Sequence, residues 1–129
     1  MLGRGRERYR KVDNVGAVTG RSAIELILLV YDRVADKLAA AETAIANQRP
    51  DLLGLAVSEA TDLISQGLVA ALDYERGGAI AENLAAVYDY SLRRLLLANL
   101  RKDGEIVREV AELLAGLREA WVSVQHGTT

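Results

Sequence analysis

The chain has 129 residues, half of them apolar, with one proline, no phenylalanine and no cysteine. That length suits a single domain with its own core; the apolar half excludes a disordered protein, and the missing cysteine excludes disulfide and thiolate chemistry. The net charge of −2 is uneven: Arg4, Arg6, Arg8, Arg10 and Lys11 against Glu7 make the first eleven residues +4 and leave −6 for the remainder.

Residues 1–20 read as a flexible basic N-terminal arm. The body behind it is acidic and carries no aromatic ladder, so nucleic acid is not an expected partner. The basic start lacks a following apolar segment, so no signal peptide is expected. The longest apolar run, Leu26 to Tyr31, falls far short of the roughly 20 residues of a membrane span. No membrane insertion is expected, and the expected location is the cytoplasm.

Four helical segments follow in 21–125, before a short tail at 126–129. The first begins at Ser22 with Glu25 three residues on, a capping-box spacing. Ile27, Val30, Tyr31, Val34, Leu38, Ala41 and Ile45 then repeat at helical intervals to Asn47. Ile24, Leu28 and Ala35 widen this stripe, so the helix belongs in the middle of a bundle. Pro50 suits the first turn of the second helix, whose inner face is Leu53, Ala56, Val57, Ala60, Ile64, Leu68 and Leu72. The pair Gly77–Gly78 reads as a chain reversal that starts the third helix, with Ile80, Leu84, Val87, Tyr88, Leu92 and Leu95 on its core face. Asp103 caps the fourth, where Ile106, Val110, Leu113, Leu117, Ala120 and Val124 form a seam. Four such helices joined by short breaks predict an all-α, antiparallel four-helix bundle. Gly54, Gly67 and Gly116 interrupt helical stretches, each at about 1 kcal/mol relative to alanine. Close helix approach is the favoured reason for them, and a local bend is the alternative.

Catalytic constellations are absent. The one histidine, His126, lies in the tail, which removes the Glu-x-x-His pairs of di-iron bundles. Glu105, Glu109 and Glu112 lie opposite the Ile106 seam and read as a solvated face. There is no nucleophile elbow, phosphate loop or metal-ligand spacing. The expectation is a non-enzyme without metal or cofactor. Tyr31 and Tyr88 fall on core stripes, with hydroxyls expected at a bundle edge. Asp32 and Asp89 after them either cap a neighbouring group or face water.

Two motifs carry a resemblance. Ser22-Ala23-Ile24-Glu25-Leu26-Ile27-Leu28-Leu29-Val30-Tyr31-Asp32 resembles S-P-x-E-L-I-x-x-L-Y-D. Gly77-Gly78-Ala79-Ile80-Ala81-Glu82-Asn83-Leu84, continuing to Tyr88-Asp89-Tyr90, resembles G-G-x-I-A-x-N-L-x-x-L-Y-D-Y-M. Both are motifs of the flagellar secretion chaperone FliS family, and Ala98-Asn99 and Leu117-Arg118-Glu119-Ala120-Trp121 also fit it. Ala23, Val87 and Ser91 depart from the family's usual proline, leucine and methionine, and Gly20-Arg21 from its Thr-Ala pair. The resemblance covers Tyr9 to Val124. It implies a chaperone that holds the disordered C-terminal region of flagellin, blocks its premature polymerisation and delivers it to FlhA, the export-gate component of flagellar type III secretion. It further implies that the N-terminal arm, here Tyr9 and Val12, docks to that gate.

A surface for such a client is suggested by the residues themselves. Val107, Leu114 and Trp121 form a second apolar line beside the fourth helix's seam, and Tyr90 and Leu97 form one on the third. A closed bundle has no room for all of them, so an apolar strip is expected for an amphipathic segment. The other reading makes these residues extra core, covered by the arm around Tyr9 and Val12. An exposed strip also suits self-association, so the free chain is expected as a monomer or weak homodimer.

Overall fold

The computed structural model describes residues 20–126, with side chains from residue 23 onward. They form four helices: α1 (Gly20–Ala46), α2 (Pro50–Leu63, continued by a π turn, Ile64–Val69), α3 (Tyr74–Arg101) and α4 (Gly104–Gln125). No strand occurs among the described residues. The all-α four-helix bundle is therefore the fold found. The arm, with Tyr9 and Val12, lies outside the described residues except for Gly20, and the tail does so beyond His126.

Each helix buries a stripe at intervals of three and four, which draws an amphipathic segment out of water. On α1 the stripe is Leu28, Tyr31, Val34, Leu38, Ala41 and Ala44; on α2 it is Leu53, Ala56, Val57, Ala60, Ile64 and Leu68. Full burial of a side chain such as Leu38, Leu53 or Ile64 contributes about 1.5–3 kcal/mol. α2 with its π turn is long and apolar enough to cross a membrane by length and composition alone. Leu53, Ala56, Val57, Ala60, Ile64 and Leu68 of this segment build the bundle core, while Leu52 and Leu55 face outward.

Helix α1 packs between α2 and α4, and α3 closes the ring against α4 and α2. Arg118 donates to Asp32 at 2.7 Å and Arg108 to Glu42 at 3.2 Å. Ten residues forward on α1 thus match ten backward on α4, which fixes their antiparallel register. Lys37 pairs with Glu59 at 3.2 Å between α1 and α2. These pairs are solvent-facing and set register more than they add stability.

The helix ends differ from the expected ones in instructive ways. α1 is already helical at Gly20, so Ser22 is not its N-cap. α3 begins at Tyr74, not after the glycine pair: Asp73 is its N-cap and accepts the Arg76 N–H at 3.0 Å. The chain reverses over Ala70–Asp73, and the glycines lie within α3. There Gly78 adopts φ +48° and ψ −121°, a conformation that only glycine takes at little cost, and kinks the helix after its first turn. A β-carbon on Gly67 would sit 2.9 Å from Val30 Cγ1, so α1 and α2 need a glycine to approach this closely. Gly54 and Gly116 face open space, and close approach does not explain them. Asp103 caps α4 as expected, accepting the Glu105 N–H at 2.9 Å.

Candidate functional site

The core stops short of filling the end of the bundle where α1 begins. A pocket of about 130 Å³ opens there, lined by Ile27 of α1, Leu68 of the π turn, Leu72 of the reversal, Ile80, Leu84 and Tyr88 of α3, and Trp121 of α4. Ala71, Asp73, Gly77 and Ala81 complete it, with Asp73 the one charged residue. Ile80 lies on the core-facing stripe that spacing assigns to α3, yet it is 70% exposed. Its helical phase is that of a core residue, but among the described residues it stands at the pocket rim instead of being covered.

The floor of the pocket is tied across the bundle. Tyr31 on α1 and Tyr88 on α3, on diagonally opposite helices, share a hydrogen bond of 2.6 Å between their hydroxyls. Trp121 Nε1 donates to the Tyr31 hydroxyl at 3.3 Å. Both tyrosines are buried, as their stripes require, but the hydroxyls meet each other inside instead of reaching an edge. Burial pushes both phenols above their ordinary range, most strongly for Tyr88, where the bond from Tyr31 adds to it. The hydroxyls therefore remain neutral hydrogen-bonding groups and tie three helices below the opening. Asp32 accepts from Arg118, whereas Asp89 pairs along its own helix with Arg93 at 3.2 Å.

Residues expected to contact a client are brought together only in part. Trp121 lines the pocket. Tyr90 and Leu97 lie on α3 toward its seam with α4: the Tyr90 hydroxyl donates to Glu109 at 3.0 Å, and Arg94 stands 6.0 Å from its ring centre and donates to the same carboxylate at 2.8 Å. The Arg94 guanidinium, and next the Tyr90 hydroxyl, hold the Glu109 carboxyl below its ordinary value. Leu97 is half-buried against the core. Val107 and Leu114 are a correction, since they are 0% and 4% exposed and belong to the core itself. α4 packs against both α1 and α3, so its buried arc is wide enough to take the seam and the line beside it. The expected strip along α4 is not on the surface.

Sequence spacing missed Leu68, Leu72, Ile80 and Leu84 as pocket residues. Each reads as ordinary core, and only the ends of four elements in space show that the core is incomplete there. The lining is apolar apart from Asp73, whose carboxylate caps α3, and the Tyr88 hydroxyl, which is bonded to Tyr31. Among the described residues no group of three or more His, Asp or Glu is placed to hold a metal ion.

The family model described as flagellar protein FliS matches residues 5–128. The chain belongs to the FliS family. That family consists of flagellar secretion chaperones, not enzymes. The flagellar secretion chaperone FliS of Salmonella typhimurium is 39% identical over 120 residues, covering 93% of this chain and 89% of the relative. The Escherichia coli protein of the same name is 33% identical over 118 residues, covering 92% and 87%. The flagellar secretion chaperone FliSB of Pseudomonas aeruginosa is 32% identical over 120 residues, covering 93% and 94%. In this FliS-family chain, one residue of each motif lines the pocket, Gly77 of the glycine pair and Tyr88 of Tyr88–Asp89–Tyr90.

Proposed function

We propose that this chain is a cytoplasmic chaperone for flagellin: it binds the disordered C-terminal region, prevents premature polymerisation and assists delivery to FlhA at the flagellar export gate. The observation that carries this reading is the open apolar end of the core, with Ile80 on a core stripe and 70% exposed. An amphipathic client segment that places an apolar side chain there completes a core the chain leaves unfinished. The client is ordered on binding at about 2–5 kcal/mol, so contact beyond one pocket is needed. We assign that contact to Trp121 and the pocket rim, continuing to Tyr90 and Leu97; Val107 and Leu114, being buried, support the fold instead. The gate contact is assigned to the arm, at Tyr9 and Val12.

Calorimetry with a flagellin C-terminal peptide tests the client. One-to-one binding is expected, and no detectable binding at tens of micromolar overturns it. Deleting residues 1–15 is expected to leave the helical signal intact and weaken binding to FlhA; unchanged FlhA binding removes the arm's role. Light scattering decides against self-association as the main function if the free chain is a monomer that pairs with the peptide. A stable dimer that buries Ile80 favours the self-association reading.

A further inference from the structure

The two walls of the pocket are built differently. Ile27, Leu84, Tyr88 and Trp121 stand on regular helix, and Tyr31, Tyr88 and Trp121 are bonded together beneath them. The opposite wall, with Leu72 and Gly77, belongs to the corner that joins α2 to α3. From Ala70 to Ile80 no residue is buried, whereas Leu68 and Ala81 on either side are 2% and 3% exposed. A segment with so few buried contacts opens at a lower free energy than the helices it joins.

Both ends of the corner are irregular. At one end the π turn Ile64–Val69 replaces regular helix, and the Ala70 N–H closes it onto Ser65 O at 3.2 Å. Such turns are rare and occur at sites of function. At the other end Gly78, at φ +48°, detaches the first turn of α3 from the rest. The Gly77 N–H to Asp73 O bond at 2.8 Å and the Arg76 N–H to Asp73 carboxylate bond at 3.0 Å lie within the corner, while Leu72 N–H reaches back to Val69 O of the π turn at 3.1 Å. The two bonds to Asp73 can persist while the corner moves.

Pocket size gives the movement a purpose. A volume of about 130 Å³ is close to the roughly 150 Å³ cavity that holds one benzene, so it admits one apolar side chain. An amphipathic helix presents anchors at i and i+4, and a second anchor has no space until a wall retreats.

We infer that the corner from Ala70 to Ala79 is a hinged wall of the apolar pocket, pivoting at the π turn and at Gly78, that swings outward to admit a second side chain of a helical client. The client part rests on the proposed flagellin reading; the hinge does not. Hydrogen exchange on the full free chain tests the hinge first. Amides of 70–79 are expected to exchange at least a hundredfold faster than those of 84–98, at a rate that hardly responds to 1 M urea. Equal protection of the two segments, or an equal urea response, overturns the hinge. Gly78→Ala places an L side chain in a strained conformation that local opening relieves. It is expected to speed exchange of 70–79 at least threefold with 84–98 little changed, and equal acceleration in both overturns the pivot. A flagellin C-terminal peptide in excess is then expected to slow exchange of 70–79 at least tenfold. A peptide that binds without altering 70–79 overturns the hinge's role in admission, while a peptide that does not bind overturns the flagellin reading and leaves the free-chain result to judge the hinge.

Discussion

Placing a carboxylate at Ile80 and at Leu114 separates a binding surface from a core. Leu114 is 4% exposed and packed among residues of α1, α3 and α4, whereas Ile80 is 70% exposed at the pocket rim. Truncating a buried leucine costs about 2–5 kcal/mol. Leu114→Glu adds a charge with no partner in the core, which costs several kcal/mol more unless the group is neutralised. Set against a domain stability of about 5–15 kcal/mol, that removes most of the folded state. Ile80→Glu alters a side chain largely in water, where substitutions stay within about 0.5 kcal/mol. Far-UV melts and calorimetry with the flagellin C-terminal peptide read the two effects. Leu114→Glu is expected to lose the cooperative melt; Ile80→Glu is expected to keep it and to bind at least tenfold more weakly, about 1.4 kcal/mol. A cooperative melt unchanged in Leu114→Glu refutes the assignment of Leu114 to the core. Wild-type binding by a folded Ile80→Glu refutes the pocket as the client site.

Alanine at Gly54 or Gly116 meets nothing within 4 Å and is expected to raise stability by about 0.5–1 kcal/mol in urea melts; Gly67→Ala, forced against Val30, is expected to lower it. Tyr88→Phe removes the shorter of the two bonds of the buried Tyr31 hydroxyl and leaves it with Trp121 alone; it is expected to cost about 1–3 kcal/mol. The double variant with Tyr31→Phe is expected to cost less than the sum of the two single variants, and an additive result refutes the coupling of the hydroxyls. Glu109→Gln is expected to lower the melting temperature at neutral pH. The folded-state carboxyl is held below its ordinary value of 4.5, so its contribution is present above that value and lost as pH falls through the lower folded one. The difference between variant and parent is therefore expected to vanish in acid, and a gap that persists there means the loss is steric.

Periodicity made the four helices legible because burial on one side of a helix imposes it directly. Register around each axis was less legible, and α4 shows why. Its expected seam advances by seven residues every two turns, but a straight α-helix drifts about 20° over each such interval. By the end of the helix the seam has rotated out of the core: Ala120 and Val124 are exposed, while Trp121 has turned inward to reach Tyr31. Packing against two neighbours widens the buried arc and brings Val107 and Leu114 inside. The glycine pair misled in another way. Sequence marks where the backbone needs glycine, yet the reversal is supplied by Ala70–Asp73 and Gly78 supplies a kink after the first turn of α3.

The pocket was hidden for a third reason, and it bears most on function. Ile80 has the correct phase for a core position, and phase is all that spacing reports. Whether a residue faces a partner depends on where the other helices end, and three of them end or begin beside it. A core stripe that outruns its neighbours looks, in sequence, identical to one that is covered. In the folded chain it becomes an apolar surface, at the cost of leaving Ile80 in water. That cost is modest for one residue: full burial of such a side chain contributes about 1.5–3 kcal/mol, most of which is forgone at Ile80. A client that covered Ile80, as proposed above, would recover that contribution, so the same side chain that adds little to the free fold would favour the complex.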